Sequence, residues 1–518
     1  MKRQIEIALR PEELDLPEIL SVKSSQKLNV DIKKISAAIP IRKSIDSRSK
    51  FPVFRILVDA YIDEFPENQK IKIVYNPISG NKKAIVIGFG SAGMFSALKL
   101  LELGIKPIVL ERGKDVQSRR RDIREVQQNH IINPDSNYCF GEGGAGAYSD
   151  GKLYTRSTKR GDVKKILDVF VKHGANPEIL IDTHPHIGSN KLPKIVTEIR
   201  NTILSNGGEI HFNSKVTDFI ITQNKIVGVK INDVDEYYGD AVILSTGHSA
   251  RDIFYLLNSK NIKIEPKPFA MGVRIEHPQS LINEIQYHTS NKHPNLPSAS
   301  YNLTCDVDGR GVYSFCMCPG GIIVPAATTS DQIVVNGMSL SKRNSPFANS
   351  GFVVEITENE WNDYSDDYPF PGLKLQSELE KKAFELANRT QSAPAQRVTD
   401  FFQNKESSTL PKSSYIPGLT AAPLHKELPG FITNRLKQSL KIFDKKLKGY
   451  YSEEAILVGV ESRTSSPIRI PRNRTTFMHE QISALFPCGE GAGYAGGIVS
   501  SAIDGENCAQ AVANYINP

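Results

Sequence analysis

A short apolar strand that runs straight into a glycine turn and then a helix constrains this 518-residue chain more than any other feature. Ala84-Ile85-Val86-Ile87 is wholly apolar, as strands buried on both faces of a parallel sheet are. Gly88-Phe89-Gly90-Ser91-Ala92-Gly93 follows, helical spacing runs from Ser91 to Leu103, and Gly104 fits the stop. A second apolar strand, Pro107 to Leu110, ends at Glu111. Each glycine has its own duty. Gly88 permits the tight turn, Gly90 lets backbone approach a pyrophosphate, and Gly93 lets helix and strand pack closely. The helix start at Ser91 and Ala92 then offers free N–H groups and a positive dipole end. Glu111 can accept hydrogen bonds from an adenosine ribose diol, and its charge disfavours a 2′-phosphate, so NADP is not expected in this site. Arg112, beside it, is assigned to the same end of the ligand.

Further glycine clusters decide between NAD and FAD. Phe140 to Leu153 holds Gly143, Gly144, Ser149, Asp150, Gly151, Lys152 and Leu153 and is too glycine-dense for a structural turn alone. Ser245-Thr246-Gly247 ends an apolar strand, and Val216 opens another. Gly489, Glu490, Gly496, Gly497 and Ile498 lie between a closing strand, Ala484 to Phe486, and a last helix. Several separate segments converging on one extended ligand suit FAD, which is longer than NAD. In that reading Glu490 binds a ribityl hydroxyl, and the helix start near Gly497 and Ile498 faces the flavin N1/O2 edge.

The chain divides accordingly. Residues 1–66 read as a small α+β domain with strands at Gln4–Leu9, Ile35–Ile45 and Val53–Ile62 and a helix within Glu12–Gln26. Residues 67–83 form a linker, 84–155 the first part of the FAD-binding domain, and 156–190 a connecting or substrate segment. The FAD-binding domain resumes over 191–259 and closes over 451–518, and 260–450 is an inserted α+β substrate domain. There, Ile432, Leu436, Leu440, Phe443 and Leu447 mark one face of a helix.

The 64 Lys+Arg against 57 Asp+Glu give a net charge of +7, too mild to demand a nucleic acid. Met1 to Leu16 lacks the apolar core of a secretory signal, and six cysteines without regular spacing do not make a disulfide scaffold. The uncharged run Gly311 to Ser330 contains Pro319 and Pro325, so no membrane span is expected and the cytoplasm is the default location.

These features resemble the glutathione-reductase-type FAD fold, with one Rossmann-like domain and an inserted substrate domain. Within it the chain is similar to a bacterial family of FAD-dependent dehydrogenases carrying an extra N-terminal domain. The matching runs are Ile45-Asp46-Ser47-Arg48, Ser149-Asp150-Gly151-Lys152-Leu153, Phe315-Cys316-Met317-Cys318-Pro319-Gly320-Gly321 and Val335-Asn336-Gly337-Met338-Ser339. Glu461-Ser462-Arg463-Thr464-Ser465-Ser466-Pro467 and Gly489 to Gly497 extend the match over the full chain. The resemblance implies the fold and FAD, and no substrate.

No second strand–glycine–helix unit follows Gly93, so no dedicated NAD(P)H domain is read. Electrons must come from the substrate, from transiently bound NAD(P)H or from a protein donor. Candidate catalytic groups are Arg274, to hold a substrate carboxylate, and His277, to move protons. The alternative is an Arg–Glu cross-strand pair with a turn histidine. Cys316 and Cys318, one residue too close for a Cys-x-x-Cys motif, are either flavin-facing thiols or buried packing. His184 and His186 lack further ligands, and no metal site is read. The basic run Arg463, Arg469, Arg472 and Arg474 is either an anion site or a solvated loop. Arg42, Lys43, Arg48, Lys50 and Arg55 could contact RNA, although a docking surface fits better. The expected function is two-electron oxidoreduction of a small molecule, such as dehydrogenation, reduction or hydroxylation. The alternatives are a tRNA- or nucleic-acid-acting flavoprotein and a non-catalytic flavin-binding regulator.

Overall fold

The computed structural model describes residues 1–67, 73–155, 158–362 and 367–517. Its organising element is a five-stranded parallel sheet in the order Leu485–Pro487, Ala241–Leu244, Lys83–Ile87, Lys106–Leu110, Glu209–His211. Alternation along these strands sorts their side chains to two faces. Ala84, Val86, Val109, Ile243 and Phe486 point into one core, covered by the helices Ser91–Glu102, Val163–Lys172, Leu192–Ser205 and Ile498–Ile516. Ile85, Ile87, Ile108, Leu110, Val242 and Leu244 point into the other, covered by the antiparallel strands 216–238 and the helix Arg251–Ser259. Ala84–Ile87, Pro107–Leu110, Ala241–Leu244 and Leu485–Pro487 are buried on both faces, which is why they are continuously apolar, whereas the edge strand Glu209–His211 is half-buried and polar. The first and last helices cross so closely that a Cβ on Gly505 would stand 2.2 Å from the Ala92 carbonyl oxygen.

The inserted region builds a seven-stranded sheet ordered Thr304–Val307, Arg310–Cys318, Phe347–Ile356, Phe269–Pro278, Ile456–Glu461, Ala393–Arg397, Leu419–Ala421. All its pairs are antiparallel except the last. The helix Gly430–Lys446 buries Ile432, Leu436, Leu440 and Phe443 on this sheet. Ile456–Glu461 pairs with Phe269–Pro278, so the inserted sheet runs past residue 450, the boundary expected from sequence. That strand is fully buried and apolar up to Glu461, and composition alone did not distinguish it from the closing strands of the cofactor sheet. The uncharged run Gly311–Ser330 consists largely of two strands, 310–318 and 321–325. Among the described residues no helix is long and apolar enough to cross a membrane.

The N-terminal unit is a three-stranded antiparallel sheet, Lys2–Leu9, Val53–Ile62, Ile35–Asp46, with the helix Ile19–Leu28. Ile7, Leu9, Phe54, Ile56 and Val58 belong to the same hydrophobic cluster as the inserted sheet. Polar contacts add to this docking. Lys43 N–H donates to the Ile181 carbonyl at 2.7 Å, and Asn295 Nδ2 donates to the Pro11 carbonyl at 3.0 Å. In the expected linker, residues 68–72 lie outside the described residues, whereas Ile73, Tyr75 and Ile78 pack on the helical layer.

Candidate functional site

One continuous cleft of about 1770 Å³, counting its open mouth, runs along the carboxyl edge of the parallel sheet. Gly88, Gly90, Ser91 and Ala92 line it, with Glu111 and Arg112 at the next strand end. Gly143, Gly144 and Ser149 to Lys152 contribute from the long glycine segment, Val216, Thr246 and Gly247 from the middle, and Glu490, Gly496, Gly497 and Ile498 from the C-terminus. Four stretches far apart in sequence are thus brought to one surface.

Three expected contacts stand behind that surface. Gly93 packs helix on strand: its Cβ would lie 2.0 Å from the Gly88 carbonyl oxygen. Gly489 N–H donates to Asp504 at 2.7 Å and supports the C-terminal turn. Leu153 is apolar and buried in the helical core, where its side chain gains more than it would beside a polar ligand.

The lining fits a dinucleotide. The helix Ser91–Glu102 starts at Gly90 without a side-chain cap, and Ile498–Ile516 starts equally bare at Gly497, leaving N–H groups for an acceptor. Backbone meets backbone at the turn: a Cβ on Gly144 would lie 3.0 Å from Gly90 Cα. Glu111 takes N–H bonds from Phe89 (2.8 Å), Gly113 (2.9 Å) and Gly141 (3.0 Å). A carboxylate offers about four acceptor positions, so Glu111 both builds the turn and keeps capacity for a ribose hydroxyl. Arg112 is held by Asp135 and Asp252 and lies 4.2 Å over the Phe140 ring.

Sequence reasoning missed His248, which follows directly on Thr246-Gly247. It lines the cleft with a buried Nδ1 that lacks a hydrogen-bond partner, 3.6 Å from Glu490 Oε1. Also missed was Glu461, which shares the cleft wall with Phe315, Cys316 and Cys318.

Two expected catalytic residues are elsewhere. Arg274 is fully buried and fully committed. Nε donates to Asn349 at 2.7 Å, Nη1 reaches both Glu461 oxygens at 2.8 and 2.6 Å, and Nη2 meets the Cys316 carbonyl at 2.8 Å and Cys318 Sγ at 3.5 Å. It has no donor left for a substrate carboxylate; it makes an Arg–Glu cross-strand pair with Glu461 of the adjacent strand, while Glu276 on its own strand is held by Ser414. His277 lies within a strand, not a turn, in the core of the inserted sheet against Tyr450 and Tyr301. Nε2 bonds the Tyr450 carbonyl at 2.8 Å, and burial pushes the imidazole down to about 4.

This gives a test of the placement. Unfolded His277 takes a proton near 6.5 and the folded one near 4, so its stability contribution is complete above pH 6.5 and falls as pH drops towards 4. Between pH 7 and 4.5 wild type should lose about 2.5 kcal/mol more than His277→Phe. Urea unfolding followed by the fluorescence of Trp361, the single tryptophan, reads this directly. Equal acid sensitivity would place His277 in contact with solvent.

The basic run divides: Arg469 and Arg474 are exposed, whereas Arg463 and Arg472 are spent internally. Arg463 uses Glu380, Ser249, Thr328 and Gln332, and Arg472 is bound by Asp504 and sandwiched between Phe477 and Tyr494. Cys488, Asp504 and Cys508 bring their ligand atoms within 4.8 Å of one another, a juxtaposition not read from their spacing. Arg472 donates to both Asp504 and Cys508, placing a positive charge where a cation would sit.

Comparison with known proteins adds the family. Residues 268–464 match the model described as FAD-dependent protein, C-terminal domain-like, and residues 1–61 match a domain of unknown function (DUF8436). A Clostridium beijerinckii protein described as uncharacterized is 39% identical over 514 residues, 95% of each chain. The chain belongs to this family of FAD-dependent proteins. FAD is its cofactor. Solved structures that align include CtdE in complex with FAD (12% identity, 85% of this chain and 90% of that one, TM-score 0.33). A geranylgeranyl bacteriochlorophyll reductase-like protein of Thermoplasma acidophilum aligns at 12% identity over 84% and 79% (TM-score 0.34), and glycine oxidase of Bacillus cereus at 12% over 84% and 96% (TM-score 0.31). At these scores the likeness carries no argument of its own.

Proposed function

We propose that this FAD-dependent protein is a two-electron oxidoreductase of the glutathione-reductase-type arrangement, acting on a small molecule held between the cofactor sheet and the inserted domain. The observation that carries the reading is the shared cleft. The glycine segments of the cofactor sheet form one wall, and Phe315, Cys316, Cys318, Asn336, Gly337 and Glu461 of the inserted region form the other. FAD supplies hydride exchange at its N5 atom when bound. The chain positions and encloses. The bare helix starts at Gly90 and Gly497 take the pyrophosphate and the flavin edge, Glu111 takes the ribose, and His248 with Glu490 meets the ribityl chain. The inserted sheet covers the reacting edge and excludes water. Electrons are supplied by substrate, by NAD(P)H bound transiently or by a protein donor.

The N-terminal unit is proposed to be a docking module, not a nucleic-acid grip. Asp46 holds both Arg48 and Arg55, whose guanidiniums keep its carboxyl well below the usual range. Glu6 lies against Arg42 and Arg55, and Lys43 pairs with Asp182. Little unpaired positive charge is left for phosphates. A cytoplasmic location belongs to the same reading.

The purified protein is expected to be yellow, and anaerobic NADH or NADPH is expected to bleach it. A yellow protein that neither bleaches would move the electron source to substrate or a protein carrier. A colourless protein that takes up no added FAD would overturn the assignment of the cleft.

A further inference from the structure

We propose that Cys316 and Cys318 are a redox-active pair that exchanges two electrons with FAD, which makes the substrate class disulfides. This rests on the reading of the cleft given above. Two cysteines one residue apart on a flat strand have Cα atoms about 6.6–6.8 Å apart, at the limit of what a disulfide spans. The strand is not flat here. Its register against Phe347–Ile356 shifts between Phe315 and Cys318, and Cys316 has φ 42°, in the left-handed region. Such a bulge shortens the local path and re-aims side chains, and a non-glycine residue held there is typical of functional sites. The Cys318 thiol already folds back to 3.3 Å from the Cys316 carbonyl. Cys316 is exposed, and both residues line the cleft.

Two cations hold this turn. Arg274 donates to the Cys316 carbonyl and touches the Cys318 sulfur, and Lys152 Nζ donates to the Met317 carbonyl. Glu461 neutralises Arg274, whereas among the described residues Lys152 has no carboxylate within ion-pair distance. A cation beside the pair favours the thiolate needed for exchange. Although Cys316 has solvent-accessible surface on the cleft, the protein packed around its thiol desolvates it and acts against the thiolate, pushing the thiol up to about 11, so the reduced pair rests protonated.

The bookkeeping of the step closes. In oxidation of the pair, two S–H bonds break and one S–S bond forms, and the two electrons and two protons released are what bound FAD would take up. In turnover the flow reverses. The Cys316 and Cys318 thiols reduce an external disulfide by exchange, releasing two substrate thiols, and the Cys316–Cys318 disulfide left behind would regain two electrons and two protons from NAD(P)H by way of the bound flavin.

The test uses the FAD-loaded enzyme, oxidised with ferricyanide, desalted and titrated anaerobically with dithionite. Wild type is expected to consume two equivalents per flavin and Cys316→Ser one, with the flavin spectrum retained. Cys508→Ser, which removes the other close cysteine pair, should still consume two. Alkylation under denaturing conditions should leave Cys316 and Cys318 unmodified in the oxidised wild type, in a peptide lighter by two hydrogens. Full flavin bleaching at one equivalent, with both cysteines alkylated, would overturn the pair and leave the flavin reading intact. A drop to one equivalent in Cys508→Ser but not in Cys316→Ser would also overturn it. Failure of the flavin to bleach at all would sink both.

Discussion

Gly93→Ala protein is expected to purify colourless, with affinity for FAD at least about 100-fold weaker than wild type. The added Cβ would stand 2.0 Å from the Gly88 carbonyl oxygen and 3.0 Å from its carbon, both backbone, and 3.0 Å from Ser245 Oγ. Backbone cannot step aside as a flexible side chain can, so the helix Ser91–Glu102 must move away from the turn. Overpacking of this kind costs about 1–3 kcal/mol in stability. The larger effect is on the ligand. The same displacement carries the free N–H groups of Ser91 and Ala92 away from where a pyrophosphate would lie, and a charge-assisted bond depends steeply on its geometry. Gly430→Ala is the control, since a Cβ there meets nothing within 4 Å. Titration of each apoprotein with FAD, followed by fluorescence quenching, reads the difference. Near-normal binding by Gly93→Ala would mean that the phosphates do not sit on this turn.

Gly93 also shows what the sequence discloses well. A strand, a glycine turn, a helix and an acidic residue at the next strand end are local, each is forced by backbone sterics, and together they fix one end of the cleft. The remaining cofactor segments could be found for the same reason, since glycines where backbone must approach backbone leave a local trace. What could not be read were partners separated by long stretches of chain. Arg274, Glu276 and His277 look like a polar substrate strand because charged residues on an apolar strand demand an explanation. Their explanations are Glu461, 187 residues away, Ser414 and Tyr450, which no local pattern announces. The same distance hid Glu461 from the list of cleft residues and concealed that Arg463 spends its donors internally. The boundary at residue 450 failed similarly: Ile456–Val460 is apolar like the closing strands, and only its pairing with Phe269–Pro278 assigns it.

Replacing Glu380 by glutamine is expected to produce the largest loss of stability of any single isosteric change in the molecule, about 3–5 kcal/mol. Glu380 is fully buried and receives both Arg251, at 2.8 and 2.9 Å, and Arg463, at 2.9 and 3.1 Å, with Ser462 Oγ at 2.6 Å. Burial alone would raise its carboxyl, but the two guanidiniums outweigh burial and hold it down at about 2. Glutamine keeps the shape and removes the charge, leaving two buried cations on one neutral acceptor. Linkage gives the same size independently. The carboxyl titrates near 4.5 when unfolded and near 2 when folded, so its contribution is complete above pH 4.5 and is lost as pH falls towards 2. That loss amounts to about 3 kcal/mol. The variant should therefore lack part of the acid-induced loss that wild type shows in this window. Its consequence reaches the cofactor, because the network joins three parts of the chain. Arg251 opens a helix on the cofactor sheet, Glu380 sits on the helix Pro371–Leu386 of the inserted region, and Arg463 lines the cleft. With the carboxylate gone, the two halves should lose their coupling, so that release of FAD and exposure of Trp361 separate into two transitions in urea where wild type shows one. A Glu380→Gln protein that unfolds in a single step at the wild-type midpoint would show that the halves are held together elsewhere.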